Sequence, residues 1–143
     1  MLHSPFNTQL KLASNDAWLQ QLEQQPQPLE AFLQARPQKR LGLYFENLWA
    51  YFLQEHPQTE LVLRNLQVFA NKNTLGEFDF IYYCHKRRCH VHLEVAVKYY
   101  LGYQQNLPVE ADSMQQWLGP QCVDRLDKKY QRLVQHQLRL AQF

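Results

Sequence analysis

Apolar positions divide the chain into a long helical stretch, three strand-like runs and a second helical stripe. Leu41, Tyr44, Phe45, Leu48 and Phe52 recur at three- and four-residue steps, which is one face of a helix. Pro37 suits its first turn, and Pro57 stands just past its end near Glu55. Leu43, Trp49, Ala50 and Leu53 fill the other faces, so the pattern predicts a helix buried nearly all round. Leu61–Phe69 is a strand signal broken by Arg64 and Asn65, and Asn71-Lys72-Asn73 reads as a turn. Gly76–Tyr83 and Cys89–Val97 are two further strands around the tip Lys86-Arg87-Arg88. An irregular stretch with Pro108, Gly119 and Pro120 leads to a helix from about Val123. Leu126, Tyr130, Leu133, Val134 and Leu138 form its apolar stripe, and Asp124 is spaced to pair with Lys128. Consecutive strands with short turns predict an antiparallel meander covered by the long helix, a mixed α/β (α+β) fold.

Residues 1–36 are glutamine-rich and interrupted by prolines. Asn15 or Asp16 can cap a short helix to Leu22, and Pro28 opens another over Leu29–Ala35. This segment is expected to be a helical arm packed on a core domain spanning 37–143.

The hairpin strands can be aligned by their apolar residues, because side chains alternate between faces. Joining the greasy faces pairs Phe78 with Val95, Phe80 with Leu93 and Tyr82 with Val91. The same register sets Asp79 opposite Glu94 and Ile81 opposite His92, and needs a two-residue turn or a four-residue loop at the tip. Asp79 is the only charge in Phe78–Tyr83, and Glu94 the only one in Val91–Val97. Two facing carboxylates repel. A divalent cation offsets that repulsion, and Mg²⁺ is held by one or two carboxylates plus water and phosphate oxygens. Glu46 is the only charge between Leu41 and Leu53, with Gly42 and Ala50 four residues to either side leaving space beside it. Lys98, four residues past Glu94 on the same face, adds a positive charge for a phosphate or a nucleophilic water.

The chain has 143 residues and a formal net charge of +2, which suits one globular domain and neither demands nor excludes a nucleic-acid partner. Three cysteines are too few for a disulfide framework. There is no signal-peptide pattern and no bilayer-spanning run, so the expected location is the cytoplasm, away from membranes.

The order of motifs resembles the PD-(D/E)XK (restriction-endonuclease-like) nucleases: a helix with a glutamate (LGLYFENLWAYFL), a strand with Leu63–Asn65, then Gly76-Glu77-Phe78-Asp79-Phe80 and HLEVAVK. GEFDF, HLEVAVKYYLG, and WLGP followed by DRLDKK more closely resemble a bacterial family described only as a domain of unknown function. The nuclease resemblance implies a Mg²⁺- or Mn²⁺-dependent phosphodiesterase acting on nucleic acid. Asp79, Glu94 and the Val95 carbonyl would hold the metal, Glu46 would assist through water, and Lys98 would be catalytic. The usual lysine lies two residues after the glutamate, where this chain has Ala96. The resemblance also implies another strand after the second helix, so a core lacking its last strand, truncated at its C-terminus, is expected.

Lys86, Arg87, Arg88, Arg125, Lys128 and Lys129 are candidate phosphate contacts. Tyr99, Tyr100 and Tyr103 could stack bases, but core packing is the preferred reading. Cys84, His85, Cys89, His90 and His92 do not converge in this register, which argues against zinc. The competing function is a catalytically silent module that binds nucleic acid or a protein through the same fold, and Ala96 favours it.

Overall fold

The structure is a computed structural model that describes residues 16–70, 72–102, 114–136 and 140. Two short helices, α1 (Ala17–Gln24) and α2 (Gln27–Gln34), precede α3 (Leu41–Glu55). Asp16 caps α1, its Oδ1 accepting from the amides of Trp18 (3.0 Å) and Leu19 (3.2 Å). Its Oδ2 meets His56 Nε2 at 3.2 Å just past the end of α3. Trp18 fills the angle between the helices, its ring centroid 5.7 Å from that of Phe52 and 5.2 Å from His56. From Asp16 onward, the described residues of this segment pack on the core through Trp18, Leu19 and Phe32.

Helix α3 starts at Leu41, not at Pro37. Arg40 is extended (φ −94°, ψ 125°). The Arg36 carbonyl accepts from Asn47 Nδ2 at 3.3 Å, which ties this connection to the helix flank. Nor is the helix buried all round. Asn47, Ala50, Tyr51, Phe52 and Leu53 are buried, whereas Leu41 and Tyr44 in the first turn are 44% and 40% exposed. The sheet and the arm cover only the second half.

The main sheet is an antiparallel meander in the order β1 (Thr59–Ala70), β2 (Asn73–Cys84), β3 (Cys89–Leu93). Thr59 Oγ1 donates to the carbonyl of Leu53 (3.1 Å), which fixes the exit from α3 into β1. Val62 is an extra residue between the pairs Leu61–Tyr82 and Leu63–Ile81, and Leu75 another between Val68–Gly76 and Phe69–Thr74. Burial alternates along β2, with Phe78, Phe80, Tyr82 and Cys84 inside. Phe80, Tyr82 and Cys84 join Ala50, Phe52 and Leu53, flanked by Val91, Leu93 and Val95, in one core.

A two-stranded sheet, β4 (Leu101–Gly102) with β5 (Trp117–Leu118), precedes α4 (Leu126–Gln135). Asp124 lies before this helix and does not pair along it with Lys128. It meets Lys98 Nζ at 3.9 Å and the Tyr100 hydroxyl at 3.4 Å. Leu126, Tyr130, Leu133 and Val134 are half-buried, and Leu138 lies outside the described residues. Among the described residues no helix is long and apolar enough to cross a membrane.

Candidate metal centre

The β2–β3 register agrees with the alternation of apolar residues. Phe80 faces Leu93, Ile81 faces His92 and Tyr82 faces Val91, with a four-residue loop, His85–Arg88, at the tip. One step beyond Leu93, Glu94 comes beside Asp79. The Asp79 amide donates to Glu94 Oε1 (3.4 Å), and the Val95 amide donates to Asp79 Oδ2 (2.9 Å). These bonds explain why β3 ends at Leu93 and not at Val97. Carboxylates take the amides of Asp79 and Val95, and side-chain acceptors of this kind compete with a ladder.

Glu94 is nearly enclosed, its side chain 6% exposed, and its Oε1 meets His92 Nε2 at 2.5 Å. The His92 ring stands edge-on to Phe78 (4.6 Å, 87°). Burial pushes the Asp79 carboxyl up to about 6. The Val95 amide opposes the shift, and the charges of Glu94, Glu46 and Glu77 add to it. Glu46 thus reaches this region from α3 by its field. A side chain added at Gly42 would meet nothing within 4 Å, and Ala50 is buried in the core.

Lys98 and Tyr99 depart from expectation. Lys98 was placed on Glu94's face by strand alternation, which stops at Leu93; its amine sits near Asp124 instead. The Val95 amide is an added partner of Asp79, beside the carbonyl that the resemblance implied as a ligand. Tyr99 is 74% exposed and not a core residue, Tyr100 is half-buried, and Tyr103 lies outside the described residues. Tyr99, Tyr100 and Leu101 with Leu118–Cys122 line an apolar cleft of about 420 Å³.

Lys86, Arg87, Arg88 and Lys128 are exposed and Lys129 half-buried. Arg125 is engaged by Asp127 through two bonds of 2.8 and 2.6 Å. The rings of His85 and His90 both lie against Tyr83. Among the described residues no three His, Cys, Asp or Glu side chains are grouped so as to hold a metal ion. The two hard-oxygen carboxylates nevertheless fit Mg²⁺ or Mn²⁺, which take few protein ligands and complete their shells with water.

Sequence reasoning assigned no role to the contact of His92 with Glu94, although two residues apart on a strand is the spacing that shares a face. It also missed Arg64. This guanidinium lies over Phe80 (5.8 Å), bonds Asn47 Oδ1 (2.6 Å) and, among the described residues, leaves its buried Nε without a partner.

The class defined by fold and site is an α+β domain with a carboxylate pair on an antiparallel hairpin under a helix. Residues 2–143 match the model of DUF1853, a domain of unknown function, and the chain belongs to that family. No curated protein and no solved structure matches the chain.

Proposed function

We propose that the protein is a Mg²⁺- or Mn²⁺-dependent phosphodiesterase that acts on nucleic acid in the cytoplasm, similar to PD-(D/E)XK nucleases. One observation carries the reading: Asp79 and Glu94 lie side by side in a desolvated setting that pushes the Asp79 carboxyl up to about 6. A site of this kind gains most from a divalent cation. Asp79 and Glu94 hold the ion with the Val95 carbonyl, and Glu46 supports it through water. The ion supplies a lowered water pKa and neutralises charge on the phosphate. The exposed tip Lys86-Arg87-Arg88 suits a phosphate backbone, as do Arg125, Lys128 and Lys129 around the start of α4, and exposed Tyr99 suits an unpaired base. Lys98 acts on the phosphate after leaving Asp124, a 3.9 Å pair half-open to solvent that holds it weakly.

A second reading has its own support. Ala96 occupies the usual lysine position and Lys98 is directed to Asp124, as suits a silent module that binds nucleic acid or a protein. Cleavage of a panel of single- and double-stranded DNA and RNA with Mn²⁺ separates the two. The enzyme reading expects metal-dependent cleavage that Lys98→Ala abolishes while metal binding survives. Nucleic-acid binding with no cleavage and no metal effect supports the silent module.

A further inference from the structure

The hairpin that carries the carboxylates has a second reactive pair at its other end. Cys84 and Cys89 face each other as the last pair of the β2–β3 ladder, and both are free thiols. Facing residues in an antiparallel pair have Cα atoms about 4.5–5.5 Å apart. A disulfide spans roughly 4.4–6.8 Å, so the backbone already has the required separation. The two thiols differ in access. Cys84 is 7% exposed and belongs to the core, while Cys89 is half-buried and adjoins the exposed Arg88. Burial pushes the Tyr82 phenol up, and the fields of Cys84 and Cys89 add to the shift while Arg87 opposes it. The tip is closed by the Arg88 amide, which donates to the Cys84 carbonyl at 2.7 Å.

We propose that Cys84 and Cys89 form a redox-active dithiol that a low-molecular-weight disulfide, such as oxidised glutathione, converts to an intrachain disulfide. The basic tip draws the anionic reagent. The Cys89 thiolate attacks one sulfur of the reagent, forms a mixed disulfide and expels one glutathione thiolate. The Cys84 thiolate then attacks Cys89 Sγ and expels the second. Two protein thiols lose two electrons to the reagent's S–S bond, and their protons end on the two glutathione thiols. Attack falls to the accessible thiol and resolution to the enclosed one. Cys122 is exposed and outside the hairpin, so it plays no part. Oxidation would clamp the register that holds Asp79 beside Glu94 at the far end of the same strands, and this holds whether or not the site binds a metal.

The test equilibrates the full chain with Cys122→Ser against oxidised and reduced glutathione at a series of ratios. The expected result is joint loss of the two remaining thiols and a mass decrease of about 2 Da, the two hydrogens removed. A melting temperature several degrees higher is also expected. With Cys84→Ser added, Cys89 should keep one bound glutathione. Peptide mapping of the oxidised wild-type chain should find Cys84 linked to Cys89, which covers any variant that does not fold. Persistence of both thiols in excess oxidant, separate glutathione adducts on each, or a linkage to Cys122 would overturn the proposal.

Discussion

Asp79 is the residue on which the site's electrostatics turn. Its carboxyl is pushed up to about 6 by burial and neighbouring acids, so the native state binds its proton more tightly than the unfolded state, where the value is near 3.8. The stability it contributes is complete below about 4 and is lost as pH rises through 6. Urea unfolding should therefore show stability falling from pH 4.5 to pH 7 in the absence of metal, apart from the titration of other groups. Asp79→Asn keeps an acceptor for the Val95 amide and removes the charge. It should flatten this slope and raise stability at pH 7 by about 1–2 kcal/mol, the shift discounted for partial solvent access. An unchanged slope would mean that neither burial nor the field of Glu94, Glu46 and Glu77 raises the Asp79 carboxyl. Glu94 is the opposite case, because its enclosed side chain accepts from His92 and the Asp79 amide. Glu94→Ala should cost about 1–3 kcal/mol by leaving polar groups unpaired, and Glu94→Gln much less. Equal losses in denaturant titrations would show that the carboxylate charge, which both variants remove, and not shape or a neutral acceptor, matters there.

At the scale of elements, the alternation of Phe78, Phe80 and Tyr82 against Val91, Leu93 and Val95 was enough to give the register, because a slip of one residue would expose the whole set. The register in turn made the Asp79–Glu94 pairing readable from sequence. The end of β3 was not readable, because it depends on which amides the carboxylates take, and that is a tertiary matter. Lys98 was misplaced for the same reason. The span of α3 was overread because periodicity marks an apolar face without saying how far its neighbours extend. Phe80 has no exposed surface, whereas Leu41 is 44% exposed. Phe80→Ala should cost about 3–5 kcal/mol, and Leu41→Ala well under 1 kcal/mol. Comparable losses, measured by chemical denaturation, would mean that something covers the first turns of α3.

For the whole molecule, a core of α3 and the meander holds a carboxylate pair in place before any ligand arrives. Glu46 comes from the helix, Glu77 and Asp79 from β2, and Glu94 from the chain just after β3, so the site's charge depends on the helix–sheet arrangement. The contact of His92 with Glu94 and the bond of the Val95 amide to Asp79 keep the pair ordered. The central claim is that this pair is a divalent-cation site. Its most direct test is thermal unfolding of the wild type, Asp79→Asn and Glu94→Gln at pH 7, each titrated with Mn²⁺ and Mg²⁺. Selective binding to the native state raises the melting temperature in proportion to the logarithm of metal concentration once the site saturates. The account predicts such a rise for the wild type and none for either variant; a wild type indifferent to both metals, or variants that respond as the wild type does, would contradict it.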